Sequence, residues 1–297
     1  MSMPGLPIAA VERETGIARQ LLRMWERRYG YPMPLRDAQG DRLYPPEQVT
    51  RLCQIRRLID MGLRPGRLMA LTPAQLEEMA ELHLPKRETP PLCDGLLDLL
   101  RHQDGQALRQ DLQQRLQAMG LAHFVCVFLP QANALIGDAW SRGEIRIYHE
   151  HLYTEALTRL LREALSALPS GTGRPRIMLT STPAEPHTLG LLMAEALLRL
   201  AGCECLAFGP CMPFAEMGEA MIQHRIDVLA LSFSVAYNGP LDEEIGQLMA
   251  SIPPASQLWV GGAGTRRLKL QVPGLHIMQG LEQIERQVAQ WRSAPPV

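Results

Sequence analysis

The feature that most constrains this chain is a change of hydrophobic period at Arg176. From there on, the apolar runs "IMLTS", "CECLAFG", "VLALSFS" and "LWVGG" alternate with helix-like stretches led by Leu189, Phe214 and Leu241. Continuous apolar runs suit strands buried on both faces, and strand–helix alternation gives a parallel sheet covered by helices. A Rossmann-like α/β parallel-sheet domain over 176–297 is therefore predicted. Ligands of such folds sit outside the carboxyl ends of the strands. Three loops fall at such ends: "STPAEPHTLG", "SFSVAYNGP" and "GGAG". His187 lies in the first. A loop histidine is as often a hydrogen-bonded structural residue as a ligand, and taken alone this one leaves both readings open.

Upstream the pattern is helical. Residues 1–85 read as short helices: "PIAAVERETG" stopped by Gly16, "ARQLLRMWERRYG" closed by Gly30, and "PPEQVTRLCQIRRLIDMG" with prolines suited to its first turn. Between the second and third, "YPMPLRDAQGDRLY" suits a small hairpin turning at Gln39-Gly40. A further short helix starts at Thr72 as N-cap. A linker at 86–91 leads to 92–168, where apolar positions recur every three to four residues and Gly120 and Gly143 punctuate. That length and spacing predict a four-helix bundle. A second linker covers 169–175.

Charge separates the ends of the chain. Between Arg13 and Arg67 stand 12 arginines against 6 carboxylates, while the whole chain sums to −1, so the remainder is acidic. A basic front predicts a polyanion partner. Arg19, Gln20, Arg23 and Arg27 lie on the second helix, the position from which a helix-turn-helix reads the major groove. Arg36, Arg42 and Tyr44 on the following loop are candidate phosphate contacts. A merely solvated helix face is the rival reading, which six excess positive charges on so small a module disfavour. The six cysteines contain no C-x-x-C pair and read as buried hydrophobes in a reducing compartment. No apolar run reaches the ~20 residues of a bilayer span, so a cytoplasmic protein without a membrane partner is expected.

The stretch "GIARQLLRMWERRYG…P…R…GDRLY" resembles the winged helix-turn-helix of MerR-type regulators over residues 6 to about 70. Asp41 departs from it, standing where an aromatic residue commonly precedes Arg-Leu-Tyr. The resemblance implies that double-stranded operator DNA is the partner. Glu185-x-His187-x-x-Gly190, then Ser232-x-Ser234, then Gly261-Gly262 resemble the cobalamin-binding Rossmann-like domain, with Glu185 in place of a commoner Asp. That resemblance implies His187 as lower cobalt ligand with Glu185 behind it. Gly190, Gly261 and Gly262 then make room for the cofactor's nucleotide tail, and Ser232 and Ser234 hydrogen-bond it.

In the middle, Trp140 and Glu150-His151 form a W-x9-E-H pattern. Alone, a bundle Trp is usually core and a Glu-His pair usually surface. With the flanking domains in place, nearly the whole chain resembles the CarH/LitR light-responsive repressors. Membership implies that adenosylcobalamin is the light sensor, that Trp140 and Glu150 hold its adenosyl group, and that His151 is the cobalt ligand after photolysis. It also implies a homo-oligomer, a tetramer in the dark and smaller in light, that releases DNA on illumination. The alternative is a MerR-type regulator that is cobalamin-independent or answers another ligand. An enzyme is not expected: cobalamin-dependent mutases and methyltransferases need a substrate domain, often a barrel of ~250 residues, for which the chain has no room.

Overall fold

Hydrophobic patterning at both ends of the chain is realised as two separate arrangements. The structure, a computed structural model, describes residues 5–60, 63–83, 88–102, 105–169, 171, 173–237 and 239–294. Its contacts divide into two compact units: Met1–Gly105 with Gln131–Tyr153, and Gln106–Pro130 with Thr154–Val297.

The first unit opens with β1 (Leu6–Pro7), α1 (Ile8–Thr15) and α2 (Arg19–Tyr29). Gly16 and Gly30 stop these helices in the left-handed region, φ 66° at each, and their N–H groups return to Glu12 O and Glu26 O. Only a residue without Cβ adopts that conformation cheaply. The hairpin follows as β2 (Leu35–Arg36) and β3 (Arg42–Tyr44), and a small antiparallel sheet runs in the order β1-β3-β2. Its turn is tied by Asp37, whose carboxylate accepts from Gln39 N and Asp41 N. Next come α3 (Pro46–Asp60), α4 (Pro65–Met69) and α5 (Pro73–His83). Thr72 and Gln75 cap α5 reciprocally. Leu22 and Trp25 of α2 are buried with Val11, Ile17, Tyr44, Leu52, Ile55 and Leu58 in one core. This unit also holds α6 (Leu96–Arg101).

Three further helices belong partly to each unit. The helix α7 (Gly105–His123) leaves helical geometry at Gly120 (φ 74°, ψ 159°). A π-turn over Phe124–Phe128 joins it to α8 (Leu129–Ser141), and α9 spans Ile147–Ala167. Together Gly105–Trp140 make a run long and apolar enough, by length and composition, to cross a bilayer. It is not an unbroken apolar run, since Gln, Arg, Asp, His and Asn interrupt it, which agrees with the expectation from the sequence. Phe124, Val125, Phe128, Leu129 and Ala132 on that run are buried within the protein itself, as in a core helix.

The second unit is built on five parallel strands: β4 (Gly173–Thr180), β5 (Cys203–Gly209), β6 (Val228–Ser232), β7 (Gln257–Gly261) and β8 (Leu275–Ile277). Between them lie α10 (Leu189–Leu200), α11 (Phe214–Gln223) and α12 (Leu241–Ser251), with α13 (Ile284–Ser293) last. Strand order is β5-β4-β6-β7-β8. The chain thus steps from β4 outward to β5 and returns to β6 on β4's other side. That reversal creates a crevice between the ends of β4 and β6, the topological switch point where ligands of such sheets bind. Strand β4 starts within the stretch expected as a linker, because Gly173 pairs with Cys203. The short edge strand β8 carried no apolar run to announce it.

Candidate functional site

At the carboxyl end of β4 the chain turns through Ser181–Thr188 before α10. Glu185 is fully buried there, a costly place for a carboxylate unless every lone pair is used. Its Oε1 accepts from His187 Nδ1 at 2.5 Å and His187 N at 3.0 Å, and its Oε2 accepts from Ser234 N at 2.7 Å. Burial pushes the carboxyl pKa up, but these three hydrogen bonds outweigh it and hold it below the usual value. Ser181 clamps the loop from beneath, donating to Glu185 O at 2.5 Å and accepting from Cys211 N at 2.9 Å. The His187 side chain is half-exposed (51%). With Nδ1–H donated to Glu185, the imidazole keeps its lone pair on Nε2, the nitrogen suited to a metal.

Ser234 takes part beyond the sequence expectation: it supplies N–H to Glu185 and sets Oγ 3.1 Å from His187 Nδ1. The loops after β4 and β6 are thereby tied into one Glu185–His187–Ser234 cluster at the switch point. Ser232 faces Gly190: a Cβ on Gly190 would lie 2.3 Å from Ser232 Oγ. On Gly262 (φ +91°) a Cβ would lie 2.3 Å from Phe233 O, and on Gly264 2.4 Å from Ser234 O. Gly261 is looser, its nearest neighbour being Met278 at 3.7 Å. Ser181 and Gly264 were missed by the sequence reading; the third glycine of "GGAG" was the available signal for Gly264, and Ser181 had none.

Trp140, Glu150 and His151 all lie in the first unit. The Trp140 indole Nε1 is buried without a hydrogen-bond partner among the described residues, an uncommon state for that donor. His151 is exposed (61%), with Nε2 3.8 Å from both Glu14 Oε1 and Glu150 Oε2. His149 points elsewhere: it is buried and its Nδ1 accepts from Arg146 N at 2.9 Å, closing the first turn of α9. Burial, then the nearby Arg146 and Arg101 charges, lower its pKa.

In the first unit, Arg19, Gln20, Arg23 and Arg27 are all exposed on α2. The three arginines recur every fourth residue and so form one stripe. Arg19 also holds Glu12 at 2.5 Å. Arg36 is exposed on the wing, bonding Gly40 O at 2.7 Å. Two expectations are corrected here. Tyr44 is wholly buried, its hydroxyl lacking a partner among the described residues, because the third residue of β3 faces the core. Arg42 is half-buried and paired with Glu26 at 2.8 Å, so it braces the wing against α2 rather than standing ready for phosphate.

Residues 6–75 match the family described as MerR HTH family regulatory protein, and residues 92–164 match the B12 binding domain family. Across 283 residues the chain is 30% identical to the HTH-type transcriptional repressor CarH of Myxococcus xanthus, covering 91% of this chain and 94% of that one. The chain belongs to the CarH family of MerR-type repressors. A second relative, the repressor CarA of the same organism, is 29% identical over 269 residues, covering 88% of each chain. The fold of the Methanosarcina barkeri monomethylamine corrinoid protein is also shared, with TM-score 0.52 at 13% identity over 67% of this chain and 98% of that one.

A CarH-family chain is a DNA-binding transcriptional regulator with a cobalamin-binding domain, and its named relatives are transcriptional repressors. The residues fit the cofactor. An imidazole backed by a buried carboxylate is a suitable axial donor for cobalt. Beside it, glycines 190, 262 and 264 let the loops after β4, β6 and β7 approach one another more closely than side chains would allow.

Proposed function

We propose that this chain is a light-responsive repressor that holds adenosylcobalamin at the switch point of its sheet. The observation carrying this reading is the Glu185–His187–Ser234 cluster, whose buried carboxylate fixes the imidazole in one tautomer. His187 Nε2 would bind cobalt from below, with Gly190, Gly261 and Gly262 leaving room for the nucleotide tail and Ser232 lining its path. Trp140 and Glu150 would hold the upper group. His151, whose Nε2 lies 3.8 Å from Glu14 Oε1 and Glu150 Oε2, would be the second cobalt ligand after photolysis. Bound, an alkylcobalamin supplies a carbon–cobalt bond that visible light breaks.

Operator DNA would be read by Arg19, Gln20, Arg23 and Arg27 and gripped by Arg36. In darkness the chain assembles, as a tetramer, and presents several DNA modules together, which raises occupancy through effective concentration. In light the assembly falls to smaller species and operator affinity drops. The domains would be 1–85, 92–168 and 176–297, the last extended to Gly173 by β4, in a cytoplasmic protein. The test is absorbance of the cobalamin-incubated chain in darkness and after green light, with His187→Ala alongside. The expected result is a corrin spectrum that changes on illumination and is weakened or altered in the variant. A light-stable spectrum would refute photosensing, and an unaltered variant would refute the role of His187.

A further inference from the structure

We infer that the turn between α8 and α9 is a docking element for the DNA-binding module, setting the orientation of the recognition helix. Both partners belong to the first compact unit, which groups residues 131–153 with the helix-turn-helix. Two contacts define the seam. A Cβ on Gly143 would come within 3.4 Å of Gln54 Nε2 and 4.0 Å of Thr50 Cγ2, so the turn's backbone lies directly on α3. Eight residues on, His151 Nε2 is 3.8 Å from Glu14 Oε1 at the end of α1. Gln54 is buried, although glutamine is ordinarily solvated. Cys53 completes the face: its thiol, also buried, points at Glu14 O.

The turn is stiff enough to transmit position. Glu144 is held by Arg142 at 2.7 Å and Arg101 at 3.1 Å, Ile145 is buried, and Gly143 N and Glu144 N return to Trp140 O and Ala139 O. Trp140 is thus three residues from the seam along a hydrogen-bonded turn. On the other side the link is equally short. Two residues before Glu14, on the opposite face of α1, Glu12 accepts from both Arg19 N and Arg19 Nε at the start of α2. A rotation of the turn therefore reaches the first arginine of the recognition stripe through one helical turn of α1.

The docking goes beyond the proposed function and can be tested without it, while the role in orientation rests on that function. Hydrogen exchange is measured on the full cofactor-free chain, comparing wild type with Gln54→Lys and, as a milder change of equal volume, Glu14→Gln. Opening the seam raises exchange at residues 142–151 by about tenfold in Gln54→Lys, with a smaller rise in Glu14→Gln. Exchange in the α3 core at Leu52 and Ile55 separates a loosened seam from an unfolded module. Unchanged exchange at 142–151 in both variants, or a rise equal to that of the α3 core in both, overturns the docking. Operator affinity is then measured on the cobalamin-loaded chain. The dark-to-illuminated ratio falls by about fivefold or more in Gln54→Lys while cobalamin affinity is kept. An unaltered ratio overturns the role in orientation. A wild type without any light response counts against the proposed function and leaves the exchange result standing.

Discussion

Tyr44 and Arg42 are two positions apart on β3, and the structure removes both from the surface expected to meet DNA, one into the core and one onto Glu26. A buried hydroxyl without a partner gives nothing to stability, so Tyr44→Phe should leave the thermal midpoint unchanged or raise stability by up to about 1 kcal/mol. Operator affinity should stay within about twofold, and a larger loss in a filter-binding titration would mean that the hydroxyl reaches a phosphate. Glu185 carries a pH signature. Its folded pKa lies below the ordinary 4.5, so its stabilisation is fully present above that value and is lost as pH falls through the folded pKa. Glu185→Gln should be less stable at neutral pH by about 1–3 kcal/mol, since a buried donor loses its acceptor. Its unfolding midpoint should fall less steeply than wild type's below about pH 4.5, as read by fluorescence. The types of these residues were legible in the sequence. Their facing was not, because a three-residue strand has too few positions for alternation to declare a side.

Among elements, the strand–helix alternation after Arg176 was legible because long apolar runs leave little choice of period. The ends of β4, β6 and β7 were placed correctly for the same reason, and with them the three loops of the site. What stayed hidden was the cross-linking between loops: nothing local to "SFSVAYNGP" says that Ser234 N will serve a carboxylate 49 positions earlier. Glycine roles divide in the same way. At Gly262 the backbone is left-handed and the missing Cβ faces a carbonyl that cannot move, so Gly262→Ala should cost about 3 kcal/mol in chemical denaturation. Gly190→Ala faces only the Ser232 hydroxyl, which can rotate away, and should be markedly milder in the same measurement.

For the whole molecule, the basic front is smaller electrically than its arginine count suggests, since Glu26 neutralises Arg42 in place. Affinity for operator should fall with salt at a log–log slope near −0.9 per phosphate contact, and Arg36→Ala should flatten it by about 1 per module without altering sequence preference. A slope unmoved by Arg36→Ala would place the wing off the backbone. Composition pointed to this end of the chain as the DNA-binding end, but only the folded ion pairs show which charges are already spent.

The division into two units falls at the first residue of α7, Gly105/Gln106, inside α8, at Pro130/Gln131, and inside α9, at Tyr153/Thr154. Each of α8 and α9 is therefore a single hydrogen-bonded rod owned by both units. A protease acts on exposed, irregular backbone, and within α8 and α9 the seam between units offers it regular helix instead. The regulatory end and the sheet end of this chain cannot be parted by trimming at that seam without opening a helix, so their dependence on one another has to be dissected residue by residue within the intact polypeptide.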